Sequence, residues 1–283
     1  MSIKILVTGA KGQLGQTFQK KAEKMKAKLE FVFVNREELD ITNSEEINAV
    51  FKNNKFDYCI NCAAYTNVEG AESEPEKAFE INAEAVKNLA EVCKTNTTVF
   101  IHISTDYVFD GSKTSPYNET DDTNPLNRYG ASKLKGEQHI EQLLSQYFII
   151  RTSWLYSPYG KNFAKSIVSK LQQNQDLKII TSETGTPTSC SDLADFVLYL
   201  VTNKINKYGM YHFSASGETT WYGFAQAIAK KMGKTSLVNP TDSFPVKAKR
   251  PKYSVLDNHK ANTLIDIEVD WQASVNKVVE QLL

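Results

Sequence analysis

Lys4-Ile5-Leu6-Val7-Thr8-Gly9-Ala10-Lys11-Gly12-Gln13-Leu14-Gly15 is the stretch that decides the fold. A short apolar run ends in glycine, and glycines then recur three residues apart before a helical pattern begins. Glycine at those places permits a tight turn, a close approach of backbone to a pyrophosphate, and close packing of helix on strand. The helix N-terminus would then face the phosphates. A glycine-rich connection with no ligand has the same letters, so the weight lies in where the triplet falls.

Further strand-like runs lie at residues 30–34, 58–61, 99–104 and 147–152, with helical patterns between them. The first helix is expected to run to about Lys28. Asn43-Ser44-Glu45-Glu46 has the form of a capping box. A long helix is expected from Pro75 to about Thr95, and another from near Asn127. Strands that alternate with helices and read as unbroken apolar runs imply a parallel sheet covered on both faces. The expected class is therefore α/β, a Rossmann-type doubly wound parallel sheet with a smaller, discontinuous substrate-binding lobe. Residues 1–152 would form the dinucleotide-binding part and 153–283 mainly the lobe. A strand near 209–214 would return to the sheet. Residues 182–191 and 239–250 read as irregular, and the last helix as 271–283.

The chain has 283 residues, 33 basic and 33 acidic, so net charge is zero. That balance gives no basic footprint for nucleic acid and no polybasic membrane patch. No run is long and apolar enough for a membrane span, and the N-terminus enters a strand with no room for a signal peptide. A cytoplasmic protein is expected. Cys59-Ile60-Asn61-Cys62 is formally a C-x-x-C. On a strand those two side chains face opposite ways, so they read as small buried residues and no metal ligand pair.

The glycine turn nominates Gly9, Lys11, Gly12, Gln13 and Leu14 for a dinucleotide. The second strand ends at Val34-Asn35-Arg36. An acid there would hold an adenosine 2′-hydroxyl; none is present, and Arg36 suits a 2′-phosphate. NADPH is therefore expected, with NADH as the other option, and a solvated loop arginine is the plain alternative. Asp40-Ile41 would flank the adenine. Ala63-Ala64-Tyr65-Thr66 and Ile103 fall where backbone must lie against a cofactor.

Within Tyr129-Gly130-Ala131-Ser132-Lys133, the phenol and the ammonium are i,i+4 neighbours on one helix face. A free tyrosine titrates near pH ~10, and a cation beside it would lower that value. Ser104-Thr105-Asp106 ends the fourth strand, at the sheet edge where open α/β folds bind ligands.

The three glycines followed by Thr105, Tyr129 and Lys133 resemble the extended short-chain dehydrogenase/reductase superfamily. The resemblance sharpens at Ser104-Thr105-Asp106-Tyr107-Val108-Phe109-Asp110-Gly111, Arg151-Thr152-Ser153-Trp154-Leu155-Tyr156, Gly185-Thr186-Pro187-Thr188 and Arg250-Pro251. These look like the dTDP-4-dehydrorhamnose reductase family. The resemblance implies that Tyr129 gives a proton to the sugar C4 oxygen while NADPH supplies hydride. It implies that Lys133 holds the nicotinamide ribose and lowers the Tyr129 pKa, and that Thr105 polarises the same oxygen. Asp106, Trp154, Asn162 and Arg250 would meet a dTDP-sugar substrate.

The family pattern Asp-Gln is here Glu183-Thr184. Some relatives use carboxylates to bridge a dimer through metal; Thr17 and Ser191 fall at those places, so no metal is expected, and a homodimer is left open. A nucleotide-sugar dehydratase would need a glutamate after Asp106, where Tyr107 stands. A non-catalytic subunit, like the regulatory subunit of methionine adenosyltransferase, is the alternative of another class.

Overall fold

The structure is a computed structural model that describes residues 2–25, 29–265 and 269–283. The chain opens with β1 (Ile3–Thr8), α1 (Gln13–Ala22), β2 (Leu29–Val34), α2 (Ser44–Lys52) and β3 (Tyr58–Asn61). Then come α3 (Val68–Ala71), α4 (Pro75–Phe79), a π-helical turn at Glu80–Glu84, α5 (Ala85–Asn96), β4 (Val99–Thr105), α6 (Arg128–Leu143) and β5 (Tyr147–Thr152). The second part holds β6 (Leu155–Tyr156), α7 (Phe163–Gln172), β7 (Leu177–Ile180), β8 (Thr184–Gly185), β9 (Thr188–Ser189), α8 (Cys190–Thr202) and β10 (Gly209–His212). It closes with β11 (Thr219–Thr220), α9 (Trp221–Lys231), β12 (Val238–Thr241), α10 (His259–Asn262) and α11 (Trp271–Leu282).

The main sheet has the order β10-β5-β4-β3-β1-β2, and its pairings are parallel. β1 lies inside the sheet. The chain leaves it outward to β2 and then crosses back to β3, so the winding direction reverses between β1 and β3. The carboxyl ends there diverge and leave a crevice. Alternate residues of each strand feed two cores. Ile5, Val7, Ile60, Ile101 and Phe148 pack with Leu14 and Phe18 of α1 and with Leu193, Phe196 and Val197 of α8. Leu6, Cys59, Phe100 and Ile149 pack with Ile47 and Phe51 of α2, Leu89 of α5 and Ile140 of α6. A third core joins α7, α9 and α11 through Leu171, Phe224 and Val275.

Helix α1 stops at Ala22, short of the expected Lys28, whose last three residues lie outside the described ones. Lys24 and Met25 donate back to Lys21 and Ala22, closing a turn there, and Leu29 opens β2 buried in the core. Asn43 caps α2 as expected, accepting from Glu45 and Glu46. The helix expected from Pro75 to Thr95 carries the π turn at its centre. There Asn82 is driven inward, fully buried, with its side chain bonded to Tyr65 and to Ser132. Residues 182–191 are less irregular than expected: they form β8, β9 and the start of α8. Residues 239–241 belong to β12, which pairs with β7; Pro240 is accommodated on that two-stranded ribbon.

Candidate active site

A cleft of about 600 Å³ opens at the crevice between β1 and β3, within the range of small-molecule sites. Gly9, Lys11, Gly12, Gln13 and Leu14 form its end wall. The glycines differ in purpose. Gly9 has φ +68°, and a Cβ on it would meet Ala63 N at 2.7 Å; one on Gly15 would meet Gly9 O at 2.4 Å. Both serve local packing. A Cβ on Gly12 would meet only Gly9 O, at 3.1 Å, so the space Gly12 leaves open belongs to the cleft. No side chain caps α1 there. An uncapped helix start beside an open glycine is a cradle for a pyrophosphate, so these residues fit a dinucleotide.

Asn35, Arg36, Asp40 and Ile41 line the cleft beyond β2. Beyond that strand end Glu37 also lines the cleft, with its carboxylate paired with Lys11 at 2.6 Å. Arg36 Nε donates to Asp40 at 3.1 Å. The Asn35 amide is spent on Glu38 and on the Glu37 backbone. Ala63, Ala64, Thr66 and Ile103 line the floor. Tyr65 does not join them. Its hydroxyl donates to Glu74 at 2.9 Å, and its backbone is held by Asn82. Thr42, Cys62, Leu155 and Lys161 also enter the cleft, although the sequence nominated none of them as a cofactor contact. Cys62 packs toward one core and Cys59 toward the other, so the C-x-x-C is no ligand pair.

At the reacting end, Asn127 caps α6 by accepting from Gly130 N at 2.8 Å. A Cβ on Gly130 would meet Tyr107 O at 2.1 Å, so only glycine lets α6 start this close to the turn at Asp106–Val108 that follows β4. That contact sets Tyr129 and Lys133 against the cleft. Burial pushes the Tyr129 phenol up to about 12, with the Thr105 hydroxyl opposing and Asp106 adding to the rise. The expected lowering by Lys133 is not what the structure shows. Lys133 Nζ turns instead to β4, donating to Ile103 O at 2.6 Å with His102 Nε2 at 3.0 Å. Burial draws Lys133 down to about 8.

Thr105 Oγ accepts from Tyr107 N and donates to Asp106 at 3.1 Å. Asp106 accepts also from Ser254 at 2.6 Å. Burial raises its carboxyl to about 7, although both hydroxyls favour the charged form. Trp154, with φ +45°, stacks on Trp221 at 3.7 Å between ring centres and lies against Gly185. Trp221 Nε1 donates to Glu183 at 2.8 Å, so the residue that departs from the family pattern is tied to this aromatic pair. Arg250 pairs with Glu69 at 3.1 Å, while its buried Nε has no partner. Asn162 is used up otherwise: its amide caps α7 at Lys165 N and donates to Ser157 O and Tyr159 O. No helix among the described residues is long and apolar enough to cross a membrane.

Residues 3–283 match the family model described as RmlD substrate binding domain. A curated dTDP-4-dehydrorhamnose reductase of Burkholderia thailandensis is 36% identical over 99% of both chains. The crystal structure of a dTDP-4-dehydrorhamnose reductase from Clostridium acetobutylicum superposes with a TM-score of 0.93 at 40% identity, covering 99% of each chain. One from Bacillus anthracis, in complex with NADP, does so with 0.95 at 32% identity, over 99% of this chain and 100% of the other. With its glycine turn and Tyr-x-x-x-Lys helix in one cleft, the chain belongs to the family of dTDP-4-dehydrorhamnose reductases.

Proposed function

We propose that the chain reduces the C4 carbonyl of dTDP-4-dehydro-6-deoxy-L-mannose to give dTDP-L-rhamnose, the last step of dTDP-rhamnose synthesis, in the cytoplasm. The observation that carries this reading is the continuity of the Gly12 cradle with Tyr129 and Lys133 in one cleft. NADPH, when bound, supplies the hydride to C4. Tyr129 then gives its phenolic proton to the C4 oxygen. A phenol held near 12 is neutral at working pH, as a proton donor must be. Thr105, beside Tyr129, turns its one hydroxyl proton from Asp106 to the same oxygen and orients it. Lys133 holds the nicotinamide ribose. Asp106 and the face of Trp154 meet the sugar nucleotide, and the unpartnered Nε of Arg250 meets its diphosphate. Residues of the lobe built on α7, α9 and α11 form the substrate side. Asn162 and Tyr65 have no ligand role in this scheme.

Oxidation of NADPH on addition of the keto-sugar nucleotide tests the proposal. A non-catalytic binding subunit would bind NADPH and oxidise none. Tyr129→Phe removes the donor and should cost about 10²–10⁴ in kcat, with NADPH affinity kept. Near wild-type turnover in a folded Tyr129→Phe protein would remove Tyr129 from the role of acid.

A further inference from the structure

Thr8, Asn61 and His102 stand in register on three adjacent strands, β1, β3 and β4. All three are at most 1% exposed, and Lys133 beside them is 2% exposed. A polar chain links the four. The Thr8 hydroxyl donates to Asn61 Oδ1 at 2.6 Å, and Ala63 N–H donates to the same oxygen at 3.2 Å. Asn61 Nδ2 lies 3.1 Å from His102 Nδ1, and His102 Nε2 lies 3.0 Å from Lys133 Nζ.

The backbone sets the direction of this chain. An amide N–H only donates, so the Asn61 atom that faces Ala63 is the carbonyl oxygen. The Asn61 NH2 group then faces His102 and also only donates, so His102 Nδ1 accepts. Burial, and after it the charge of Lys133, hold His102 neutral far below the ordinary histidine range. A neutral imidazole that accepts at Nδ1 carries its proton on Nε2. That N–H is aimed at Lys133 Nζ. An ammonium has no lone pair to receive it, whereas an amine has one.

We propose that Asn61 and His102 form a tautomer lock that points Nε2–H at Lys133 Nζ and so favours the amine form of this lysine, which makes His102 a positioning residue for the reductase site. When Lys133 loses a proton, the N–H bonding pair becomes the lone pair that Nε2–H meets. The lock thus lowers the cost of that loss and brings it into the working pH range. The other groups that face Lys133 act differently. Glu137, one turn along α6, favours the ammonium but is itself paired with Arg151 of β5. Cys62, after β3, is a half-buried thiol that desolvation pushes far above its ordinary value, and Tyr129 is a neutral phenol.

The lock rests on the reading of Lys133 as part of the reductase site, but its first test does not. Nitrogen-15 NMR of the histidine ring in the cofactor-free protein reads the tautomer directly. The proton is expected on Nε2; a His102 ring protonated at Nδ1 overturns the lock whatever the enzyme does. The second test measures NADPH binding and kcat/KM from neutral to alkaline pH. Asn61→Asp keeps an acceptor for Thr8 and Ala63 and turns its other oxygen to His102, which moves the ring proton to Nδ1. His102→Gln adds no charge and can turn its carbonyl to an ammonium. Both should carry the alkaline limb upward, His102→Gln by about 0.5–1 pH unit, the equivalent of one hydrogen bond. Limbs that stay in place or move down in both folded variants overturn the proposal. Absence of NADPH turnover in the wild type, with the Nε2 tautomer present, would count against the reductase reading alone.

Discussion

Arg36 and Asp106 show how much single side chains at this site depend on their partners. Arg36 is 73% exposed and paired with Asp40, so a 2′-phosphate would have to compete with that carboxylate in water, where ion pairs are weak. The expected preference for NADPH is correspondingly modest. Arg36→Ala should raise the KM for NADPH roughly five- to tenfold and leave that for NADH nearly unchanged. Equal losses with both cofactors would show that Arg36 only lies against the adenine. Asp106 is 2% exposed, and burial raises its carboxyl to about 7. In the unfolded chain an aspartate titrates near pH ~4. The raised folded value means that its contribution to stability is full below pH ~4 and is lost as pH rises through about 7. Asp106→Asn removes this titration while the buried histidines, common to both proteins, cancel. The unfolding free energy of wild type minus variant, from urea titrations, should fall by a few kcal/mol across that window. A flat difference would show that Asp106 is already charged in the folded protein at low pH.

The elements were legible where one physical cause sets them. β3 and β5 end where expected, at the polar residues Asn61 and Thr152 that close their apolar runs, and the α6 start was marked by Asn127 and Pro125. The end of α1 was not, since Lys20 to Lys26 contains only good helix formers, yet Lys24 and Met25 close a turn on Lys21 and Ala22 there. The π turn had no local signal either. A Cβ on Gly136 would meet Asn82 O at 2.2 Å, so it is the crossing of α6 over this turn that demands its shape. The site shows the same division. Glycines and the Tyr-x-x-x-Lys spacing are local and were readable; Thr42, Cys62, Leu155 and Lys161 reach the cleft through tertiary placement. One contact fixes α6 to the sheet behind the cleft. Arg151 of β5 makes a two-pronged bond to Glu137 of α6, at 3.0 and 2.7 Å, with the two side chains at most 4% exposed. Ser104 donates to the same carboxylate. Arg151→Met would leave that carboxylate buried without its cation, at a cost of about 3–5 kcal/mol. Replacing both residues, Arg151→Met with Glu137→Gln, should cost less than the single change. A lower urea midpoint for the double variant than for Arg151→Met would refute the buried-charge account.

At the scale of the whole molecule the sequence suggested a break near residue 152, and the structure carries the chain back across it. β10 pairs with β5 at the sheet edge, and α8 covers one face of the same sheet. Leu193, Phe196, Val197, Leu200 and Val201 of α8 are at most 1% exposed and pack in the core that includes Ile5, Val7, Ile60 and Ile101. Apolar patterning could mark α8 as a helix, but it carries no address, and the loosened alternation after Thr152 hid that the helix returns. The consequence for folding is large. Burial of a side chain of this size stabilises by about 1.5–3 kcal/mol, so five of them contribute on the order of 10 kcal/mol, as much as the net stability of an ordinary domain. A fragment of residues 1–152 would also expose the β5 edge and the apolar face of Phe148 and Ile150. It should therefore fail to fold alone, giving collapsed amide dispersion in NMR and no cooperative urea transition. Extension to residue 213 restores α8 and β10 and should recover both signals, even though α7 and β7 would then lack α9, α11 and β12. A cooperative transition in the 1–152 fragment would mean that the glycine-turn half is self-sufficient and that α8 is only a cover.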